Sequence, residues 1–210
     1  YFTAMKESSV ERHLYSVDLA GKNIEKISKE KGVHSIGCSP NGEYYFDKFS
    51  DSSTPPMLSL HSISGEVVKI IDKPKLDLII DMELQTPELF TIPTSDGFPM
   101  PAQILKPADF DKTKEYPLIY HVYGGPSAPT VFDSWQGSSL LYDNILLRNG
   151  YLVVRFDHRS ATAISKTLEN RVHLMISGPI EMEDIVDGIR WLKSKDFVDP
   201  KRVGIWGWSG

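Results

Sequence analysis

The residues best suited to covalent chemistry are the last four of the chain, which read Gly207-Trp208-Ser209-Gly210. A serine near glycines, directly after a short apolar strand that we expect to be buried at residues 203–206, is typical of the first part of a nucleophile elbow, G-x-S-x-G. Such an elbow turns at once from strand to helix, and its glycines spare the backbone a clash with neighbouring strands. The pattern predicts that Ser209 is a nucleophile at the edge of a sheet. A plain strand followed by a Gly-Ser turn is the alternative.

A second candidate is Tyr123, which begins the loop Tyr123-Gly124-Gly125-Pro126 after an apolar run at residues 118–122. In an α/β-hydrolase, a loop beside the nucleophile strand provides one half of the oxyanion hole. The glycines would let the backbone or the tyrosine hydroxyl approach a substrate closely. A simple glycine-proline turn is the alternative here.

The run Asp157-His158-Arg159-Ser160 ends another apolar segment. We interpret it as a structural turn in which Asp157 and Arg159 satisfy backbone groups and each other, with a site loop as the alternative. In the elbow architecture the triad follows the chain order Ser, then Asp or Glu, then His. Because all six histidines and every Asp and Glu precede Ser209, these residues are predicted to hold the nucleophile without its base or orienting acid.

The elements predicted around these candidates alternate between strand and helix. The spacing of Leu141, Ile145 and Arg148 by about one turn predicts a helix at residues 138–148. Strands are predicted at residues 118–122, 151–156 and 203–206, with a hairpin at 89–92 and 102–105 around a turn at 94–97. This alternation is typical of a doubly wound, mostly parallel α/β sheet, which here ends after the nucleophile strand. Such sheets carry their active sites at the carboxyl ends of the strands.

A second helix is predicted between the last two of these strands. Apolar residues from Met182 to Leu192 fall at i, i+3, i+4, i+7 and i+10, which is one face of a helix. The acidic residues of its first turn, Glu181, Glu183 and Asp184, suit the helix dipole and need no chemical role.

Residues 1–72 contain strand and turn signals without a helical period. The turn Ser39-Pro40-Asn41-Gly42 holds the Asn-Gly pair that is typical of hairpins. Strand-turn units of about 40 residues are typical of propeller blades. Because a ring needs at least about four blades, this region alone favours a small sandwich over a closed propeller. The charged segment at residues 76–88 predicts a boundary between domains at 1–75 and 76–210.

Composition limits the classes of protein to consider. A hydrophobic content of 40% is ample for a globular core. The net charge of −5 and the lack of a basic cluster argue against a nucleic-acid partner. The one cysteine, Cys38, excludes an internal disulfide and a cysteine-built metal site, and we expect it to be buried in a strand. No apolar run is long enough for a membrane span.

Taken together, these residues resemble the prolyl oligopeptidase family of serine peptidases, and within it the dipeptidyl peptidase IV branch. The similar segments in the first half are His13-Leu14-Tyr15, residues 39–45 and Ser53-Thr54-Pro55-Pro56. In the second half they are Tyr116-Pro117-Leu118, residues 123–126, Asp157-His158-Arg159, residues 197–202 and the highly specific run Trp206-Gly207-Trp208-Ser209. The resemblance covers nearly the whole chain.

The resemblance implies the last blades of an eight-bladed propeller, which replaces the sandwich, followed by the first part of an α/β-hydrolase domain. By position, Ser209 matches the nucleophile, Tyr123 the tyrosine of the oxyanion hole, and the Gly210 N–H the other oxyanion donor. Gly210 stands where the commonest family elbow has tyrosine, as in some bacterial members, and Ser160 stands where glycine is frequent. Both departures leave the substrate pocket in doubt.

The activity implied is hydrolysis of peptide bonds, with release of X-Pro-type dipeptides and without a metal or organic cofactor. The 210 residues alone are expected to be inactive, and the triad acid and base are expected beyond Gly210. A catalytically inactive binding protein and a carboxylesterase are the alternatives. Peptides are the expected partners, a homodimer of the intact protein is a further expectation, and the resemblance implies a bacterial periplasmic or secreted location.

Overall fold

The structure is a computed structural model of the chain and describes residues 1–172 and 178–208, without the side chains of Leu78, Val172 and Ile180. The chain divides into two compact units. The first comprises Tyr1–Glu83 together with Phe132–Gly137. The second comprises Leu84–Val131 and the described residues from Ser138 onward.

The first unit is built from antiparallel strands, as its alternating pattern and turn residues predict. The strands are β1 (Phe2–Ala4), β2 (His13–Ser16), β3 (Glu25–Lys26), β4 (Val33–Cys38), β5 (Tyr44–Ser50), β6 (Met57–Ser62) and β7 (Val67–Asp72). The first three form one sheet, and β4 to β7 form a second sheet in sequential order. Gly42, at a φ of 70°, closes the predicted turn between β4 and β5. A four-stranded antiparallel sheet of this kind is the form of a propeller blade. A short helix, α1 (Asp77–Ile80), follows.

The second unit contains a mixed five-stranded sheet. Its strands are β8 (Glu88–Pro93), β9 (Pro99–Leu105), β10 (Tyr116–Val122), β11 (Leu152–Phe156) and β12 (Val198–Gly207). Their spatial order is β12-β10-β11-β9-β8. The three later strands are parallel to one another, whereas β8 and β9 form the predicted antiparallel hairpin. The carboxyl ends of β10, β11 and β12 therefore meet at one edge of the sheet.

Helices cover both faces of this sheet. The helices are α2 (Ser138–Arg148), α3 (Lys166–Glu169) with a following 3-10 turn (Asn170–Val172), and α4 (Pro179–Lys193). From α2, Asp143 binds Arg155 of β11 at 2.6 Å. From α4, Gly188 lies against Phe156, since a Cβ at residue 188 would stand 2.4 Å from that ring. Because successive residues of a strand point to opposite faces, α2 and α4 lie on opposite sides of the sheet.

The main apolar core of the second unit lies on the α4 side of the sheet. The alternating residues of β10 and β11 contribute to it, and the Tyr120 and Phe156 rings stack at its centre with centroids 4.1 Å apart. The Tyr120 hydroxyl donates to the Phe156 carbonyl at 3.1 Å. Burial of this hydroxyl strongly raises the pKa of Tyr120. The core residues are Ile92, Met100, Ala102, Ile104, Tyr116, Leu118, Tyr120, Leu152, Val154, Phe156, Leu192 and Val198.

Helix α2 has the predicted bounds but buries a different face. Leu141 and Ile145, whose spacing predicted the helix, are exposed. The buried side chains are Leu140, Asp143, Asn144 and Leu147. Two of these are polar and have distant partners: Asp143 binds Arg155, and Asn144 accepts the Gln85 N–H at 2.7 Å. The packing of this helix therefore depends in part on polar contacts with residues that are distant in the sequence.

Two further expectations about burial are wrong. Met182 and Val186 belong to the predicted apolar face of α4, yet both are exposed. The helix packs on the core through the remainder of that face, which is Ile185, Ile189 and Leu192. Cys38 lies at the end of β4, as a strand residue should, but it is exposed rather than buried.

Candidate active site

Strands β10 and β12 end together at the carboxyl edge of the sheet. Their parallel register pairs Val122 with Gly207, so Tyr123 and Trp208 are the next residue of each strand beyond the pairing. Trp208 is 82% exposed at this edge. Ser209 and Gly210 follow Trp208 in the sequence and lie outside the described residues. The structure thus places Tyr123 beside the point at which the strand leading to Ser209 ends.

Glycine at residue 207 is required by the close approach of β12 to β10. A Cβ atom at this position would stand 2.1 Å from the Val122 carbonyl oxygen and 3.1 Å from the carbonyl carbon. Backbone atoms in a paired strand cannot move aside as a flexible side chain would. The prediction that glycine here spares the backbone a clash with a neighbouring strand is confirmed at Gly207.

Tyr123 begins a segment that we call the glycine loop, residues 123–131. Gly124 has a φ of 85°, a conformation that glycine adopts without strain. The Tyr123 ring lies against Gly125, since a Cβ atom at residue 125 would stand 2.5 Å from the ring. The Tyr123 side chain is 40% exposed. The Tyr123 ring that carries the hydroxyl is therefore accessible to solvent.

The run at residues 157–160, which we call the anchor loop, follows β11 at the same edge and is buried. The Asp157 carboxylate accepts hydrogen bonds from the Thr130 N–H, the Thr130 hydroxyl and the Val131 N–H at 2.7 to 2.9 Å. Burial raises the pKa of Asp157, and these hydrogen bonds oppose that rise. The predicted capping of backbone groups by Asp157 is confirmed.

Arg159 fixes the anchor loop to two other elements. Its guanidinium binds Asp184 of α4 at 2.7 Å and Asp96 of the hairpin turn at 2.8 Å, and it lies 5.2 Å from the centre of the Phe98 ring. Both carboxylates raise the pKa of Arg159, and Arg159 in turn holds the pKa of Asp96 far below its usual range. The expectation that Asp157 and Arg159 satisfy each other is wrong, because each has nearer partners.

Of the acidic residues predicted for the first turn of α4, only Glu181 lies there, because the helix begins at Pro179. Glu181 accepts the Gly178 N–H at 2.9 Å, which caps the helix as expected for an acid at this position. Asp184 is buried and accepts the Arg159 backbone N–H at 2.9 Å in addition to the guanidinium. Its main contact is therefore with the anchor loop, a role that no local pattern indicates.

His121 is engaged in a polar cluster on the α2 side of the sheet. Arg155 donates to His121 Nδ1 at 2.7 Å while it binds Asp143, so this ring nitrogen accepts. Burial and the neighbouring Arg155 charge lower the pKa of His121. Its ring stacks on Trp206 with centroids 4.3 Å apart. These contacts account for His121 without a role as general base.

Within residues 1–172 and 178–208, no three His, Cys, Asp or Glu side chains are grouped so as to hold a metal ion. In the same ranges, no helix combines the length and apolar character needed to cross a membrane.

Comparisons with known families match both halves of the chain. Residues 1–56 match the family described as Dipeptidyl peptidase IV (DPP IV) N-terminal region, and residues 139–210 match the Prolyl oligopeptidase family. The two ends of the chain are therefore similar to the prolyl oligopeptidase family, in its dipeptidyl peptidase IV-like branch. The resemblance inferred from the sequence motifs is thereby confirmed.

Relatives of this family align with the whole chain. The chain is 30% identical over 218 residues to dipeptidyl peptidase 8 of Mus musculus. The alignment covers 100% of the chain and 24% of the Mus musculus protein. The chain is 31% identical over 214 residues to the probable dipeptidyl-aminopeptidase B of Arthroderma otae. That alignment covers 100% of the chain and 23% of the Arthroderma otae protein. The chain thus spans about a quarter of the length of these curated relatives.

A solved structure supports the same relationship. The crystal structure of Porphyromonas gingivalis dipeptidyl peptidase 4 superposes with a TM-score of 0.90 at 25% identity, and the match covers 99% of this chain and 29% of that one. The antiparallel sheets of the first unit are consistent with propeller blades, so the sandwich suggested by residues 1–72 alone is set aside.

Proposed function

We propose that the whole protein containing this chain is a serine peptidase that removes X-Pro-type dipeptides from the N-terminus of peptides. The observation that carries the proposal is the parallel register of β10 and β12, which places Tyr123 beside the end of the strand leading to Ser209. A nucleophile and an oxyanion donor must converge on one carbonyl group, and adjacent strand ends are suited to hold them.

The finer assignment of the fold is part of this proposal. Residues 76–210 are the N-terminal part of an α/β-hydrolase domain that continues after the nucleophile strand, and residues 1–75 are the last blades of a propeller. The parallel strands β10, β11 and β12, with helices on both faces, support the first assignment. The sequential four-stranded sheet from β4 to β7 supports the second.

The proposed mechanism is acyl transfer. The Ser209 hydroxyl attacks the scissile carbonyl while a histidine beyond Gly210 takes its proton, and an acid beyond Gly210 orients that histidine. The negative charge on the carbonyl oxygen is stabilised by the Tyr123 hydroxyl and the Gly210 N–H. The histidine then protonates the leaving amine, and water releases the acyl group from Ser209.

The substrate class follows from the relatives. The names of the curated relatives, dipeptidyl peptidase and dipeptidyl-aminopeptidase, describe release of dipeptides by those proteins. We extend this activity to the whole protein studied here. The residues that hold a free N-terminus and the pocket for proline are proposed to lie outside this chain. Homodimerisation and a periplasmic or secreted location stay predictions.

The test uses the whole protein with Gly-Pro-anilide, N-acylated Gly-Pro-anilide and a short acyl ester as substrates. We expect turnover of the free dipeptidyl anilide, little turnover of the blocked one, and loss of activity in Ser209→Ala. Ser64→Ala, at an exposed turn of the first unit, is the matched control and should behave as wild type. A preference for the ester would support a carboxylesterase, and a folded protein that turns over none of the three would support a binding protein.

A further inference from the structure

The anchor loop contacts the glycine loop at several points along its length. Asp157 binds the backbone at Thr130 and Val131, and the Ser160 carbonyl accepts the Ser127 N–H at 2.8 Å. These contacts hold the far end of the glycine loop. His158 lies between them in the sequence and reaches the near end, next to Tyr123.

His158 is buried, with 1% of its surface exposed, and its Nε2 lies 3.0 Å from the Gly124 carbonyl oxygen. A carbonyl oxygen can only accept, so Nε2 carries the proton and donates. The other ring nitrogen, Nδ1, is buried and has no hydrogen-bond partner among the described residues. The side chain is therefore oriented by its single hydrogen bond to Gly124.

The Gly124 carbonyl belongs to the peptide that joins Gly124 to Gly125. Gly124 lies beyond Val122, the last residue of β10 that pairs with β12, so strand pairing does not fix this peptide plane. Rotation of this plane would move Gly125, against which the Tyr123 ring packs. A donor that holds the Gly124 carbonyl therefore also holds the position of the Tyr123 ring.

We propose that His158 is a positioning residue: its Nε2–H fixes the Gly124 carbonyl and thereby holds the Tyr123 hydroxyl where a tetrahedral intermediate needs it. This inference rests on the proposed function. His158 touches neither the substrate nor the reacting atoms, so its effect passes through Tyr123. The anchor loop in turn is held by Arg159, which binds Asp184 and Asp96.

The experiment compares three variants of the whole protein. In His158→Gln the amide nitrogen takes the place of Nε2 and can donate to Gly124, whereas in His158→Asn the amide is too short, and His158→Leu has no donor. We expect His158→Gln to keep kcat within about threefold, and the other two to lower kcat about 10- to 100-fold with KM changed less than about threefold. Titration with a fluorophosphonate counts the active sites, so kcat refers to folded enzyme only.

A double-mutant cycle separates positioning from general packing. If His158 acts through Tyr123, then His158→Asn has little further effect on kcat in a Tyr123→Phe background. Equal losses in both backgrounds, or an unchanged kcat in His158→Asn, would overturn the inference. Failure of the proposed function is a different result, because the wild-type protein would then not turn over the free dipeptidyl anilide, or Ser209→Ala would keep its peptidase activity.

Discussion

The glycine loop and the anchor loop leave neighbouring parallel strands at the same edge of the sheet, yet they differ in what holds them. The anchor loop is buried, and its Asp157 and Arg159 side chains are paired with the glycine loop, with α4 and with the hairpin turn. The glycine loop presents an exposed tyrosine on a backbone that glycine makes adaptable. The difference is consistent with the proposed division of roles, in which the anchor loop fixes the geometry and the glycine loop presents the Tyr123 hydroxyl.

The largest effect is expected from replacing Arg159, which fixes the anchor loop. In Arg159→Met the buried Asp184 loses its cationic partner, which should lower the free energy of unfolding by about 3 to 5 kcal/mol. Arg190→Met is the matched control, since Arg190 is an exposed arginine of α4 and should be close to neutral. Chemical denaturation of the whole protein, with hydrogen exchange of α4 peptides, measures both. Equal stability of the two variants would contradict the anchoring role.

The next effect should appear in catalysis alone. Tyr123→Phe removes one hydrogen-bond donor from the proposed oxyanion hole, which should lower kcat about 100- to 1,000-fold, or about 2.7 to 4 kcal/mol. The bond forms only as negative charge develops, so KM should change little. Because phenylalanine packs as tyrosine does, Tm should be unchanged. An unchanged kcat, or an activity lost through unfolding, would remove Tyr123 from the site.

A smaller effect is expected at His34, the buried histidine of the first unit. Its contribution to stability should depend on pH, whereas that of Arg159 should not. Burial alone would lower the pKa of His34, but hydrogen bonds to the Asp47 carboxylate and the Glu30 carbonyl outweigh it and raise the pKa. Stability from protonated His34 is therefore full below pH 6.5 and is lost as the pH rises through its raised pKa. The His13 ring, 5.2 Å away and bound to Glu11, is the other titratable neighbour.

The measurement for this prediction is hydrogen exchange of β4 and β5 peptides at pH 6 and pH 8, corrected for the intrinsic rate. Protection of these strands should fall at the higher pH in wild type and not in His34→Gln. Peptides of α4 are the internal control, because this helix contains no histidine and its partner Arg159 does not titrate in this range. A parallel loss of protection in both regions would mean that His34 is not responsible.

The smallest effect is expected at Asp96, the exposed partner of Arg159. Its side chain is 58% exposed, so solvent screens its ion pair and Arg159 keeps Asp184 when Asp96 is replaced. Asp96→Asn should therefore shift Tm much less than Arg159→Met, and it should leave kcat unchanged. A loss of stability as large as that of Arg159→Met would show that the two carboxylates share the anchoring equally.

Local sequence patterns predicted the elements of the fold well. The bounds of α2, the hairpin of β8 and β9, and the strands β10 and β11 all follow from periodicity and turn residues that are close in the sequence. The predicted burial of the strand at residues 203–206 is wrong, because β12 lies at the edge of the described sheet, and Ile205 and Trp206 are exposed. The close approach at Gly207 also follows from a local motif. The partners of buried polar residues could not be predicted in this way, because they are distant in the sequence.

Arg159 illustrates this limit, since its two carboxylates lie on the hairpin turn and on α4. Arg155 does give a signal, because a charged residue within the apolar run of β11 must have a buried partner. That partner, Asp143, explains why α2 turns a polar face to the sheet. His158 gives no such signal, because the residue it contacts contributes only a backbone carbonyl.

The central claim is that Ser209 is an activated nucleophile at the edge where Tyr123 lies. The most direct measurement is labelling of the folded whole protein with a fluorophosphonate, followed by mass spectrometry of its peptides. We expect a single adduct on Ser209 that X-Pro peptides suppress and that Ser209→Ala lacks. A folded protein that forms no adduct, or one labelled at another serine and still active as Ser209→Ala, would contradict it.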